Sequence, residues 1–257
     1  MKLEQEYKSI LSKIRKQGVY RNDRTGVGCY SVFNESLKWD LSNNQFPMFT
    51  GKKIFKKIFE TEFKWFINGE TNIQRFKDAG VKIWNEWADE NGDLGPVYGH
   101  QLLNYNSEGI NQLEDVISSL KSNPDSRRHI ISLWNPLQIK DMALPPCYHY
   151  FQFFVENNKL NMFVVQRSAD MFLGVPYDIA LFSRLLLYVA AKTNLAPCKI
   201  NLNMIDCHIY SNQIKQVETY IQNDLFDLPN YKYNTLEDRL EIFNYKSNTA
   251  IKAEVAV

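Results

Sequence analysis

Apolar residues along this chain recur at two spacings, and each spacing predicts a different kind of element. Across residues 52–68, Ile54, Phe55, Ile58, Phe59, Phe63 and Phe66 return at steps of three and four. That is the period of an amphipathic helix, and Gly69 suits its stop. Residues 4–16 and 112–122 read as two more helices, the second ended by Asn123-Pro124. Residues 177–193 form the long central helix, and 211–222 another. Residues 29–41 read as an extended strand, with Tyr30, Val32 and Phe33 expected in the core. Residues 128–134 and 147–156 are rich in β-formers. Asn157-Asn158 is a tight turn from the second of these into 160–167, which makes a hairpin. Residues 200–205 add a further strand. Strands and helices mix without regular βαβ alternation, so the expected class is α+β, a mixed sheet with packed helices. No linker, repeat or low-complexity block interrupts the chain, and residues 1–257 read as a single domain.

Composition narrows the partners. The chain has 257 residues, 44% hydrophobic and 23% charged, an ordinary globular balance. Thirty basic against 29 acidic residues leave a formal charge of +1, so no stable nucleic acid partner is expected. A phosphate must be held by a local basic cluster. Residues 179–195 are the most apolar, yet they contain Arg184 and Lys192 beside Asp178. They read as a buried helix and not as a membrane span. The first 16 residues are charged, which does not fit a secretory signal. The cysteines Cys29, Cys147, Cys198 and Cys207 show no CxxC pairing, so a reduced cytoplasmic setting is expected, an infected host's cytoplasm included.

Cys147 follows Leu144-Pro145-Pro146, where two prolines force extended backbone and place the thiol rigidly. By composition alone such a cysteine is more often a buried structural one. Reactivity needs a cation nearby. The turn at 157–158 pairs Cys147 roughly with Arg167 or Ser168, which supplies one. Arg127 and Arg128 follow Asp125-Ser126; adjacent on a strand, they point to opposite faces and one can reach a phosphate. Arg24 sits in a Gly-containing loop that can bind an anion. Each arginine taken singly also reads as a solvated surface charge.

Longer blocks carry more. Leu144-Pro145-Pro146-Cys147, Gln152-Phe153 and the run from Gln166-Arg167-Ser168-Ala169-Asp170 to Val175-Pro176 resemble the thymidylate synthase signature. So do Asn22-Asp23-Arg24-Thr25-Gly26, Trp65-Phe66-Ile67-Asn68-Gly69-Glu70, Ile83-Trp84-Asn85-Glu86-Trp87, Gly95-Pro96-Val97-Tyr98-Gly99, Asp125-Ser126-Arg127-Arg128 and His208-Ile209-Tyr210-Ser211-Asn212. They keep the family's order over nearly the whole chain. The resemblance implies a thymidylate synthase-like single-domain fold, a symmetric homodimer and 5,10-methylenetetrahydrofolate as cofactor. It implies that Cys147 attacks C6 of a pyrimidine deoxynucleotide, which makes C5 nucleophilic enough to take the one-carbon unit. By similarity, Arg24, Arg167 and Ser168 hold the phosphate, with Arg127 and Arg128 reaching in from the other subunit. Gln166 joins the nucleotide site, and His208 and Tyr210 bind the sugar hydroxyl. Glu62 organises proton transfers, and Tyr98 assists proton removal from C5. Trp84, Trp87, Asp170 and the tail ending at Val257 contact folate, and Lys52 matches the position for its anionic end. Trp65 is expected to be core.

Two positions depart from the family pattern. Tyr148 stands where a His usually follows the catalytic Cys, and His149 is no substitute because Gln152-Phe153 keep the register. Asp178 stands in Pro176-Tyr177-Asp178-Ile179-Ala180, where the family has Asn. The Asn amide matches uracil's N3–H and O4. Cytosine presents the reverse, and a carboxyl can accept from its amino group. Asp here resembles the deoxycytidylate hydroxymethylase branch, so the expected substrate is dCMP, giving 5-methyl- or 5-hydroxymethyl-dCMP. Trp84, Trp87 and the tail favour the methyl product, because they resemble enzymes that exclude water. An ordinary dUMP-using synthase is the competing enzyme. A non-catalytic nucleotide- or RNA-binding relative is the competing class, against which Cys147, Glu62 and Arg167 stand together. Zinc held by Cys147, His149, Cys207 and His208 matches no common spacing, so no metal is expected.

Overall fold

The computed structural model describes residues 2–256; Val257, the last folate candidate, lies outside the described residues. Helix α1 (Lys2–Gln17) turns Leu3, Tyr7, Ile10, Leu11 and Ile14 inward at helical steps. Strands β1 (Val19–Arg21) and β2 (Cys29–Asp40) follow, then α2 (Lys56–Ile67), α3 (Gln74–Ala79), α4 (Tyr98–Leu103) and α5 (Gln112–Ser122). The second half holds β3 (Ile130–Ser132), β4 (Tyr148–Glu156), β5 (Lys159–Asp170), α6 (Val175–Thr193), β6 (Ala196–Tyr210), α7 (Ile214–Gln222), β7 (Asn230–Asn234) and β8 (Arg239–Phe243).

Six strands form one mixed sheet in the order β1-β2-β6-β5-β4-β3, and β7-β8 pair separately. The β5/β6 pair is parallel and every other pair antiparallel. Parallel neighbours need a crossover, and α6 supplies it. That helix is buried along most of its length, which is why it reads as apolar without spanning anything. Among the described residues no helix is long and apolar enough to cross a membrane. Asn157 and Asn158 take φ of 50° and 60°, the left-handed pair that a tight hairpin turn demands. Gly69, at φ 70°, follows the last turn of α2 as its sequence predicts.

Three expectations are corrected. Phe33 is 77% exposed, and Tyr30 and Val32 are only half-buried; Leu37 and Trp39 are the apolar core contributors further along β2. Asn34, at φ 59°, breaks the strand's alternation next to Phe33. The helix expected from Lys52 starts at Lys56, because residues 50–53 form a turn. Strand β3 starts at Ile130, so Arg127 and Arg128 lie in the loop before it and no strand alternation applies to them.

Candidate active site

Strands β5 and β6 end side by side, and the start of β4 and the start of α6 meet them there. Open mixed sheets bind ligands at such strand ends. Cys147 immediately precedes β4, half-buried, and Arg167 N–H donates to its carbonyl at 2.8 Å. The Arg167 guanidinium is pinned by the carbonyls of Pro146 (2.9 Å) and Pro145 (3.0 Å) and lies 5.3 Å from the Trp134 ring. The prolines and the arginine thus fix one another beside the thiol. Burial raises the Cys147 pKa; Arg167 and a Tyr98 hydrogen bond pull it down without overcoming that, and Asp178 opposes them. The cation expected from sequence is therefore present, but the resting thiol is not a ready thiolate. The Cys147 N–H donates to the Tyr98 hydroxyl at 2.8 Å.

Asp178 sits in the first turn of α6 and faces the same cleft. Gln166 Nε2 donates to its Oδ2 at 2.8 Å. Burial, helped by the nearby Glu62 charge, raises the Asp178 pKa far above the carboxylate range, although Gln166 pulls the other way. Glu62 on α2 is only 8% exposed and accepts a 3.3 Å bond from Trp84 Nε1. Burial pushes it up to about 7, against the pull of that bond. A carboxyl poised there gains and loses a proton at neutral pH, as acid–base chemistry requires. Tyr148 is buried in place of the family's His, with its ring 4.5 Å from that of Tyr98. His149 turns the other way, toward Trp134 at 6.1 Å.

The sugar and phosphate candidates divide. Asp170 pairs with His208 across β5/β6, and Ser168 with Asp206. Burial lowers the His208 pKa, but the Asp206 hydrogen bond and the charges of Asp170 and Asp206 outweigh it, so the net shift is upward. The rings of His208 and Tyr210 meet edge-on at 5.0 Å. Arg24 is exposed in the loop between β1 and β2, close enough to Tyr210 to lower its pKa against burial. Arg127 and Arg128 are exposed beside the far end of β4, where Phe153 N–H meets His129 O. That is roughly 20 Å along the strand from Cys147. One chain does not bring them to this site.

Folate candidates flank Glu62. The Trp84 and Trp87 rings lie 5.7 Å apart, and Trp87 Nε1 is buried without a partner among the described residues. A buried donor with nothing to donate to fits a polar ligand atom. Asp170 Oδ1 accepts from the N–H groups of Phe172 and Leu173. Lys52 differs from expectation: it is 3% exposed, bonds the Phe172 carbonyl and does not offer its ammonium to solvent. Burial brings it down to about 8, against the pull of Asp170. Trp65 is core, fully buried, with Nε1 on the Asn72 carbonyl. Among the described residues no three His, Cys, Asp or Glu side chains converge on a metal position. Two surface grooves of about 690 and 670 Å³ lie elsewhere and include none of the candidates.

The family model described as thymidylate synthase matches residues 5–257. The chain belongs to the thymidylate synthase family. As a member it is a folate-dependent methyltransferase acting at C5 of a pyrimidine nucleotide, with 5,10-methylenetetrahydrofolate as the one-carbon donor. Family motifs named the residues of this thymidylate synthase-like cleft but not the groups that hold them. Asp206 escaped notice as the partner of His208, with Nδ1 to Oδ1 at 3.4 Å. Their spacing of two on one strand, which puts both on one face, was the available signal. Trp134 beside Arg167 left no local signal.

Proposed function

We propose that this enzyme methylates C5 of dCMP. The observation that carries the base assignment is Asp178, a carboxyl with Gln166 donating to Oδ2 and with burial raising its pKa toward the protonated form. A neutral acid offers one donor and one acceptor. Cytosine answers with N3 as acceptor and its 4-amino group as donor. The donor also steadies the negative charge that develops on the ring when Cys147 adds to C6. Addition moves an electron pair to C5, which bonds the incoming carbon, and C5 then loses its proton before the C6–S bond breaks. Glu62, near neutrality, and Tyr98, at the Cys147 N–H, are the groups placed to move protons. When bound, methylenetetrahydrofolate supplies the carbon and, for a methyl product, the hydride. Trp84, Trp87 and the unpaired Trp87 N–H support holding it there. The tail supports a water-poor site: Ala256 is buried and Gln213 Nε2 bonds the Glu254 carbonyl at 3.4 Å.

One observation favours a second reading. A neutral carboxyl can exchange its donor and acceptor sides, which would suit uracil and make this an ordinary dUMP methylase. Mass spectrometry of the products from dCMP and from dUMP decides both base and product, since methyl and hydroxymethyl differ by one oxygen. Turnover of dUMP with none of dCMP would falsify the cytosine assignment.

The working unit is proposed to be a symmetric dimer. Phe154, Phe163 and Ile205 share the sheet face turned away from the helices and are exposed. An apolar sheet face left open is an association surface. Pairing supplies Arg127 and Arg128 from the second copy. Mixing inactive Cys147→Ser and Arg127→Ala chains tests this, because shared sites regain activity and self-contained sites do not.

A further inference from the structure

A β-bulge between Tyr148 and Tyr150 shifts the strand's alternation, so Tyr148 turns inward together with Phe151. Tyr98, Phe182, Phe66 and Phe151 pack around its ring at centroid distances of 4.5 to 6.3 Å. Its hydroxyl is sealed from water and has no hydrogen-bond partner among the described residues. The titratable groups near enough for their charge to bear on it are Glu62, Tyr98, Asp178 and Cys147, the chemical centre of the candidate site. A second orphan lies beside it. Gln166 is 2% exposed and gives its Nε2 to Asp178, while its Oε1 is buried with nothing to accept. Buried polar atoms are nearly always paired, so two orphans in one place point to a missing ligand group.

We infer that the Tyr148 hydroxyl accepts the second amino hydrogen of a bound cytosine and completes the reading that Asp178 begins. The inference rests on the cytosine assignment. One N–H of the 4-amino group belongs to the cyclic pair with Asp178. The other points away from that pair and needs an acceptor. Tyr148 Oη supplies it, and Gln166, its cross-strand partner, brings Oε1 as a further acceptor. Uracil O4 brings lone pairs to the same place and leaves Gln166 Oε1, which can only accept, without a donor. Such a mismatch discriminates strongly, because a buried polar group is left unpaired.

The test compares kcat/KM for dCMP and dUMP in the wild-type enzyme, Tyr148→Phe and Tyr148→His, with melting temperature measured alongside. Tyr148→Phe is expected to lower the dCMP value about tenfold and to leave dUMP unchanged or improved. Its melting temperature without ligand stays at or above wild type, since the lost hydroxyl has no partner there. Tyr148→His, the family's usual residue, moves the ratio the same way. Equal losses for both nucleotides, or an unchanged ratio, overturn the inference. A wild-type enzyme that prefers dUMP overturns the base assignment instead, and the ratio in Tyr148→Phe still decides the role of this hydroxyl.

Discussion

Glu60 and Glu62 leave helix α2 two residues apart and enter two different buried surroundings. Glu60 comes within 3.3 Å of Arg184 Nε, close but without hydrogen-bond geometry. The Arg184 side chain is fully buried and bonds Asp238 Oδ1 at 2.5 Å and Asp238 O at 3.0 Å. The rings of Phe63 and Tyr233 lie 4.1 and 5.0 Å from its guanidinium. A fixed cation therefore ties α2, α6 and the β7–β8 hairpin together. Glu62 has no such partner. Among the described residues, Trp84 is its one hydrogen-bond donor, and Asp178 nearby has only Gln166. Burial raises the pKa of both carboxyls, toward holding a proton, whereas Glu60 meets Arg184. A carboxyl neutralised by a guanidinium stays charged and holds structure, whereas one neutralised by a proton can release it during a reaction. The difference separates framework from chemistry within a few residues of the same helix.

The largest effect expected is at Cys147. Cys147→Ser should cut turnover by more than about a thousandfold while leaving the melting temperature near wild type. Steady-state rates and loss of the mass-shifted adduct with a 5-fluoropyrimidine deoxynucleotide check it; surviving activity would remove Cys147 as nucleophile. Arg184→Leu should do the opposite. Leaving Glu60 and Asp238 unpaired costs about 3 kcal/mol of stability. That is the low end for a buried pair, because their side chains are 17% and 35% exposed. Denaturant unfolding measures the loss, and activity per folded molecule should persist. A variant that unfolds normally but loses base preference would erase the distinction between the two regions.

Sequence made these two regions unequally legible. The candidate site was readable because Cys147 and Arg167 fall in blocks that resemble one family, with Asp178 the departure from that pattern and Glu62 three residues before the Trp65 block. Periodicity located α2 and α5, and Asn157-Asn158 located the β4–β5 hairpin, since both signals are local. The Arg184 cluster was not readable: its partners lie 54 residues later and on another helix, and a lone Arg in an apolar run carries no record of them. The raised pKa of Asp178 was equally hidden, because it depends on burial and on Glu62 from a distant helix. Helices α3 and α4 are too short for a period to show, and the β7–β8 pair sits apart from the main sheet.

Asp178→Asn comes next in size and sharpens the proton side of the comparison. An amide at that place has a fixed donor and acceptor and no proton to lose. Preference should move toward dUMP by about a hundredfold, read as the ratio of kcat/KM values. An unmoved ratio would mean that another group reads the base.

The smallest effect expected is on stability against pH, and its sign follows from Glu62. The folded carboxyl titrates at about 7. An ordinary glutamate in the unfolded chain titrates near ~4.3. Below the lower value both states hold the proton, and the burial of Glu62 costs no ionisation. As pH rises from there toward about 7, the unfolded chain releases its proton first, so the folded state loses ground. Above the folded value both are ionised and the loss stops growing. Asp178, also raised, adds to the fall, as does Glu60, which burial raises despite Arg184. Glu62→Gln removes one titrating group and leaves the others. Its melting temperature should therefore fall less than wild type between pH 5 and pH 8, on the order of a few degrees less for a chain of this size. Calorimetry at four pH values across that window checks it. Parallel curves for the two proteins would show that Glu62 is not neutralised by a proton, and that the cleft balances its charge as Arg184 does.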